Sequence, residues 1–188
     1  KIGSGAADAL TTGVNNTAVG KDALTASTTG SSHVAVGMQA LKSNTTGGSN
    51  SALGYSALEM NTTGSDNVAV GQKALEENTT GEYNTAVGAY ALDDATTSDN
   101  NTAVGYNALT ANTTGASNTA VGALALDAVT TASSCSALGK SCLTSVTTGA
   151  SNTGVGDNTG NGITTNAENT LIGALCGNGG NISRNDAI

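Results

Sequence analysis

The sequence lacks the residues from which large hydrophobic cores are usually built. Its 188 residues include no Phe, no Trp and no Pro, and only four Tyr. Buried cores normally rely on large aliphatic and aromatic side chains, so an ordinary globular domain is not expected. Gly and paired Thr residues are weak helix formers, which argues against a coiled coil. No run of about 18 apolar residues is present, so no segment is expected to insert into a membrane.

Positive charge is also scarce. Six Lys and Arg residues stand against fourteen Asp and Glu residues, which gives a formal net charge of -8. A basic surface is the usual footprint of a protein that binds nucleic acid, so nucleic acid is not an expected partner. The chain has a single histidine, His33, so no Ser-His-Asp arrangement can recur along it. The sequence contains no catalytic constellation, and we do not expect an enzyme or a bound cofactor.

What the sequence does contain is one repeat. Glycines recur every 17 residues from Gly3 to Gly173 without an insertion. The idealised unit reads N-T-A-V-G-x-x-A-L-x-x-N-T-T-G-x-x. The residue before each of these glycines is Val, Leu or Ile, and a Thr-Thr pair lies eight and nine residues before each one from Gly20 onward. So many positions in phase indicate a structural repeat.

The composition of the unit predicts an all-β fold. Thr-Ala-Val favours extended backbone, whereas Gly and Asn mark turns. We therefore expect a parallel β-solenoid, or β-roll, of about eleven coils, with two short strands and two turns in each 17-residue coil. Coils about 4.8 Å apart would form a rod about 50 Å long. The predicted divisions are a repeat solenoid over 1–173 and an irregular Gly/Asn-rich end over 174–188 that runs into a further partial repeat.

Alternation along a strand predicts which side chains face inward. If the small Ala and Gly residues fill a thin coil, the Val before each glycine and the Leu four residues after it form an outer apolar stripe. Such a stripe is expected to bind copies of the same chain. Its predicted members include Val70, Leu75, Val87, Leu92, Val104, Leu109 and Val121. In the inverse arrangement Val and Leu lie inside, and no partner is needed. The Asn column before each strand is expected to form hydrogen bonds from coil to coil.

The strings N-T-A-V-G and A-L-x-x-N-T-T-G resemble the head repeats of trimeric autotransporter adhesins (YadA-like heads) and similar repeats in phage tail-fibre proteins. The resemblance covers Gly3 to Gly173, although the 17-residue unit is longer than the usual head repeat. It implies a parallel β-roll, an intertwined or laterally packed homotrimer, and a role as a stalk or an adhesive head. It also implies a location outside the cell, at the cell surface or on a virion.

The cysteines allow two interpretations. Cys135 replaces Asn and Cys142 replaces Ala within one repeat, so a disulfide between them is one prediction, and a pair of small buried thiols is the other. A disulfide would indicate an oxidising, extracellular setting. Cys176 lies two coils from Cys142, which is too far for a bridge within the chain, so we expect it to be free or paired with another chain.

An acidic column forms a candidate cation site. Glu59, Glu76 and Asp93 each lie five residues after a repeat glycine. Stacked like charges repel, and a structural calcium ion would relieve the repulsion. The alternative, which the sequence favours, is a solvated acidic edge that resists aggregation.

The sequence is compatible with three functions. The first is a structural fibre segment, such as a phage tail-fibre shaft or a cell-surface adhesin stalk or head, which self-associates and presents a surface to a host receptor or glycan. The second is a filament subunit that polymerises head-to-tail, because 185–188 match the start of another repeat. The third is a solenoid that binds ice or glycans. Because the paired Thr residues are adjacent, they are expected to form single files instead of the paired T-x-T array that a flat ice-binding face needs.

Overall fold

The structure is a computed structural model that describes residues 1–178. It contains ten strands of three residues in one parallel sheet whose order follows the chain. The strands are β1 (Thr17–Val19), β2 (Val34–Val36), β3 (Ser51–Leu53), β4 (Val68–Val70), β5 (Thr85–Val87), β6 (Thr102–Val104), β7 (Thr119–Val121), β8 (Ser136–Leu138), β9 (Thr153–Val155) and β10 (Thr170–Ile172). An isolated bridge between Ile2 and Val19 continues the stack below β1.

Every strand pairs with the next one at an offset of 17 residues. Ala86 of β5, for example, lies opposite Ala103 of β6, which in turn lies opposite Ala120 of β7. Each strand contacts only its neighbours in the sheet. The predicted all-β parallel solenoid with in-register 17-residue coils is therefore confirmed. The irregular end predicted for 174–188 falls largely on 179–188, which lie outside the described residues.

The prediction of two strands per coil is wrong for the described residues, because each coil has a single strand. The segment after each repeat glycine is a series of tight turns. Tyr90 and Leu92 both have left-handed backbone, with φ values of 59° and 52°. Left-handed residues cannot continue a strand. Where the repeat loses its Leu, Gly160 takes the same position with a φ of 76°, so the turn does not depend on the leucine.

These turns also change which side chains are buried. Strand alternation would place Ala91 and Leu92 on opposite faces, yet both are fully buried. A leucine column therefore fills the interior together with the small alanines of the strands and turns. It consists of Leu24, Leu41, Leu58, Leu75, Leu92, Leu109, Leu126 and Leu143. Burying one leucine contributes roughly 1.5–3 kcal/mol, which a core of alanine alone would lack.

Two buried ladders of asparagine connect the coils. In the predicted column, the side-chain Oδ1 of Asn67 accepts the backbone N–H of Asn84 at 2.9 Å, while its Nδ2 donates to the carbonyl of Gly81 at 2.8 Å. A second, shorter ladder links Asn44, Asn61 and Asn78, as where Nδ2 of Asn78 donates to Oδ1 of Asn61 at 2.8 Å, and it ends there because the next coil has Ala95 at this position. Buried polar groups are costly unless they are hydrogen-bonded, so these ladders fix the register of one coil on the next.

His33 occupies an asparagine position and keeps the ladder intact. Its Nδ1 accepts the backbone N–H of Asn50 at 3.2 Å, and its Nε2 lies 3.1 Å from Nδ2 of Asn44. Burial lowers the pKa of His33 below its ordinary value of 6.5. The uncharged imidazole thus takes the part of an asparagine amide, which is a structural role.

Candidate functional site

The outward side of the sheet is a regularly repeating surface. In each strand the middle residue points inward and the two flanking residues point outward. One outward column begins the strands and consists of Thr17, Val34, Ser51, Val68, Thr85, Thr102, Thr119, Ser136, Thr153 and Thr170. The other ends them and consists of Val19, Val36, Leu53, Val70, Val87, Val104, Val121, Leu138, Val155 and Ile172. We call the two columns together the outer sheet face.

The predicted self-association stripe is only partly on this face. Val70, Val87, Val104 and Val121 belong to the outer sheet face, and Val87, for example, is 36% exposed. Leu75, Leu92 and Leu109 are fully buried in the leucine column, so the expectation that they lie outside is wrong. The physical reason is the left-handed turn, which directs the leucine side chain inward. A partner could therefore bury one aliphatic column per coil, not two, and self-association through the valines stays a prediction.

The outer sheet face carries no charge. None of its twenty positions, two in each of the ten strands, is Asp, Glu, Lys, Arg or His, although the whole chain has a formal net charge of -8. Eight of the ten positions in the first column carry a hydroxyl group. The second column carries only Val, Leu and Ile. Hydroxyl and aliphatic groups thus lie side by side on every coil of the described sheet except β2 and β4, where Val34 and Val68 replace the hydroxyl.

A shallow groove runs between the two columns near the end of the sheet. It has a volume of about 210 Å³ and is lined by Thr119, Val121, Ser136, Ala137, Leu138, Thr153, Gly154 and Val155. Ala137 and Gly154 form its floor because they are the inward-facing middle residues of β8 and β9. The groove therefore follows from strand alternation across β7, β8 and β9.

The Thr-Thr pairs form two columns with different roles. The hydroxyl of the first Thr donates to the carbonyl of the first Thr in the next coil, as from Thr62 to Thr79 and from Thr79 to Thr96, both at 2.9 Å. The second Thr of every pair is exposed. We call this column the threonine file; it consists of Thr12, Thr29, Thr46, Thr63, Thr80, Thr97, Thr114, Thr131, Thr148 and Thr165. It is a single file, as the adjacency of the two threonines predicts.

The three cysteines are free thiols, so the predicted disulfide between Cys135 and Cys142 is not formed in the structure. Sγ of Cys135 lies 3.3 Å from the carbonyl of Gly149 and takes the place of an asparagine amide. Cys142 replaces Ala for a different structural reason, which is its packing against the next coil. A methyl group on Gly154 of the next coil would lie 2.7 Å from Sγ of Cys142, so the larger Cys142 is matched by a smaller neighbour.

Burial also makes these two thiols poor nucleophiles. It raises the pKa of Cys135, and it raises the pKa of Cys142 to about 11. The reactive form of cysteine is the thiolate, which is scarce when the pKa is high. The second prediction for this pair, two small buried thiols, therefore describes the structure. Cys176 is a partly buried free thiol.

Two members of the acidic column form ion pairs with lysine side chains. Nζ of Lys42 lies 3.2 Å from Oε1 of Glu59, and Nζ of Lys73 lies 2.8 Å from Oε2 of Glu76. Among residues 1–178, no three His, Cys, Asp or Glu side chains are grouped so as to hold a metal ion. A structural calcium ion on Glu59, Glu76 and Asp93 stays an untested prediction.

Asp93 is the member of this column whose carboxylate is destabilised by burial. Its Oδ1 is buried and has no hydrogen-bond partner within the described residues. Burial, followed by the negative charge of Glu76, raises the pKa of Asp93 from 3.8 to about 7. The folded state thus holds the Asp93 proton more tightly than the unfolded state does, and the stability it contributes is lost as pH rises from about 4 to 7.

We therefore expect Asp93→Asn to stabilise the protein in neutral and alkaline solution. The gain over wild type should be near zero at about pH 4 and reach about 1 kcal/mol at about pH 8, because solvent screening reduces the effect at a half-exposed carboxylate. Urea unfolding across this pH range measures it. Asp94→Asn, which removes the same charge from the exposed neighbour, is the control and should leave the pH dependence in place. If the gain in stability of Asp93→Asn did not vary with pH, the raised pKa of Asp93 would be wrong.

No known family model matches this sequence, and no curated protein or solved structure matches it significantly. No helix in residues 1–178 is long and apolar enough to cross a membrane. The fold defines a class of protein, the parallel β-solenoid repeat proteins. Within that class, this chain has 17-residue coils, a single strand in each coil, and an interior of alanine, leucine and asparagine.

Proposed function

We propose that this chain is a structural fibre segment, a stiff rod that spaces and presents a binding surface outside the cell. The observation that supports this proposal best is the unbroken stacking of ten coils with no insertion between them. Each coil packs only on its neighbours, as in repeat proteins that grow in one dimension. The resemblance of the repeats to adhesin heads and phage tail fibres supports the same function.

The polar interior supports rigidity. The asparagine ladders and the first threonine of each pair give every coil boundary side-chain hydrogen bonds in addition to those of the sheet. Buried hydrogen-bonded networks of this kind favour a unique geometry. A rod whose register is fixed at each step is suited to carry a surface at a set distance, and nothing in this role requires catalysis.

The rod can be tested by measuring how its length depends on the number of coils. Small-angle scattering should give an elongated particle, and deleting two whole repeats should shorten it by about 9.6 Å without changing its cross-section. A compact particle, or one whose length does not follow the repeat number, would overturn the proposal. Light scattering on the same samples gives the mass, which tests whether copies associate through the valine column, as a homotrimer or otherwise.

A further inference from the structure

We propose that the outer sheet face binds crystalline ice. This inference rests on the proposed function in one respect, because it requires the rod to be rigid. It adds the class of ligand that the rod binds through its outer sheet face. The outer sheet face differs from the threonine file because it has two parallel columns of exposed groups. It therefore supplies the two-dimensional array that the adjacent Thr-Thr pairs cannot form.

Charge narrows the choice of ligand. A chain with a formal net charge of -8 keeps all twenty outward positions of its sheet free of charge. Nucleic acids and charged protein surfaces are bound through complementary charges, which this face does not offer. An uncharged crystalline surface needs none. To bind ice, the face instead needs ordered hydroxyl and methyl groups that contact the crystal in place of liquid water.

Periodicity points to the same ligand. Neighbouring coils repeat every ~4.8 Å, and alternate residues of one strand are ~6.6 Å apart, so the groups form a near-rectangular grid. The backbone hydrogen bonds that set this grid are uniform: the N–H groups of Gly88, Gly105 and Gly122 donate to the carbonyls of Val70, Val87 and Val104, each at 2.8 Å. Flexible peptides and glycans present no such grid, whereas the oxygen lattice of ice presents one with spacings of similar size. A second copy of this sheet has the same grid, and the oligomeric state distinguishes it from ice.

The side chains of the face are suited to hold water in fixed positions. Thr and Val are β-branched, so their χ1 angles are restricted and little side-chain entropy is lost on binding. The hydroxyls of Thr85, Thr102 and Thr119 form no hydrogen bond within residues 1–178 and are free to bind water. The aliphatic groups of Val87 and Val104 lie beside them and enclose the water between the columns. Strands β5 to β7 thus carry the most regular part of the face.

The test compares two double variants, each with two Thr→Lys substitutions, on two different surfaces of the rod. Thr102→Lys with Thr119→Lys alters the outer sheet face, and Thr97→Lys with Thr114→Lys alters the threonine file. The full-length chain should produce a gap between melting and freezing points in nanolitre osmometry and should be retained on a growing ice surface. In the face variant, the gap between melting and freezing points should be about tenfold smaller than in wild type. The two charged side chains would hold the face away from the ice lattice.

The threonine-file variant is the matched control, because it adds the same charge to exposed positions of the same rod. It should keep the wild-type freezing gap, and circular dichroism should show that both variants remain folded. A wild type without ice activity overturns the inference, as does an equal loss in the two variants. If the wild type is an elongated oligomer without ice activity, the rod proposal stands and the face is an interface. If it is a compact particle, the rod proposal fails.

Discussion

Gly88→Ala is expected to destabilise the rod by about 3 kcal/mol or more. Gly88 has a φ of 139°, which L-residues rarely adopt, and a Cβ at this position would lie 2.4 Å from the carbonyl oxygen of Gly105 in the next coil. The neighbouring backbone cannot give way, because it belongs to the same hydrogen-bonded stack. Chemical denaturation of the variant measures the loss.

Gly48→Ala is the matched control for this experiment. Gly48 lies at a corner of the coil, and a Cβ there would have only the carbonyl of Ser31 nearby, at 3.7 Å. Because Ala has less freedom than Gly in the unfolded chain, the control should change stability by less than about 1 kcal/mol, with stabilisation as the expected sign. Similar losses at Gly48 and Gly88 would show that close coil contact at the repeat glycine is not the cause.

Removing one residue is expected to cost more than removing seventeen. Deletion of Asn100 brings Asn101 to the exposed corner, so Thr102 enters the buried asparagine position and Val104 enters a position where the coil holds Ala. An unpaired buried hydroxyl and an overpacked strand together should cost about 4 kcal/mol or more. Deletion of 100–116 removes one whole coil and keeps every column in phase, so it should cost far less.

Thermal unfolding followed by circular dichroism compares the two deletions. The melting temperature of the 17-residue deletion should stay close to that of wild type, whereas that of the single deletion should fall by many degrees. Equal melting temperatures would mean that the coils tolerate a change of length, and the ladder description of the interior would then be wrong.

The fold and its register could be predicted because a single observation, the uninterrupted spacing from Gly3 to Gly173, constrains every coil at once. The position of Leu92 could not be predicted in the same way. Strand alternation holds only for extended backbone, and nothing in the string A-L-x-x-N shows that a leucine adopts left-handed backbone. The two-faced coil and the outer leucine stripe both followed from that one assumption.

Some features of the candidate sites could likewise be predicted from the sequence, and others could not. One asparagine ladder was predicted from its position beside the strand. The second, which contains Asn61 and Asn78, was missed because N-T-T strings are typical of turns. The disulfide prediction rested on two substitutions in one repeat. The structure relates Cys142 to Gly154 in the next coil, a compensation of volume that becomes visible only once coils are stacked.

The stacking of coils also determines how the rod would respond to force. Each coil occupies about 4.8 Å of the rod axis but contains 17 residues, or about 56 Å of extended chain. Because a coil contacts only its neighbours, a pull on one end can peel coils away singly while the remainder stays folded. Each coil released from a tether made of this rod would therefore extend about tenfold, from about 4.8 Å to about 56 Å, and the tether would dissipate energy in similar steps before the load reached whatever the rod connects.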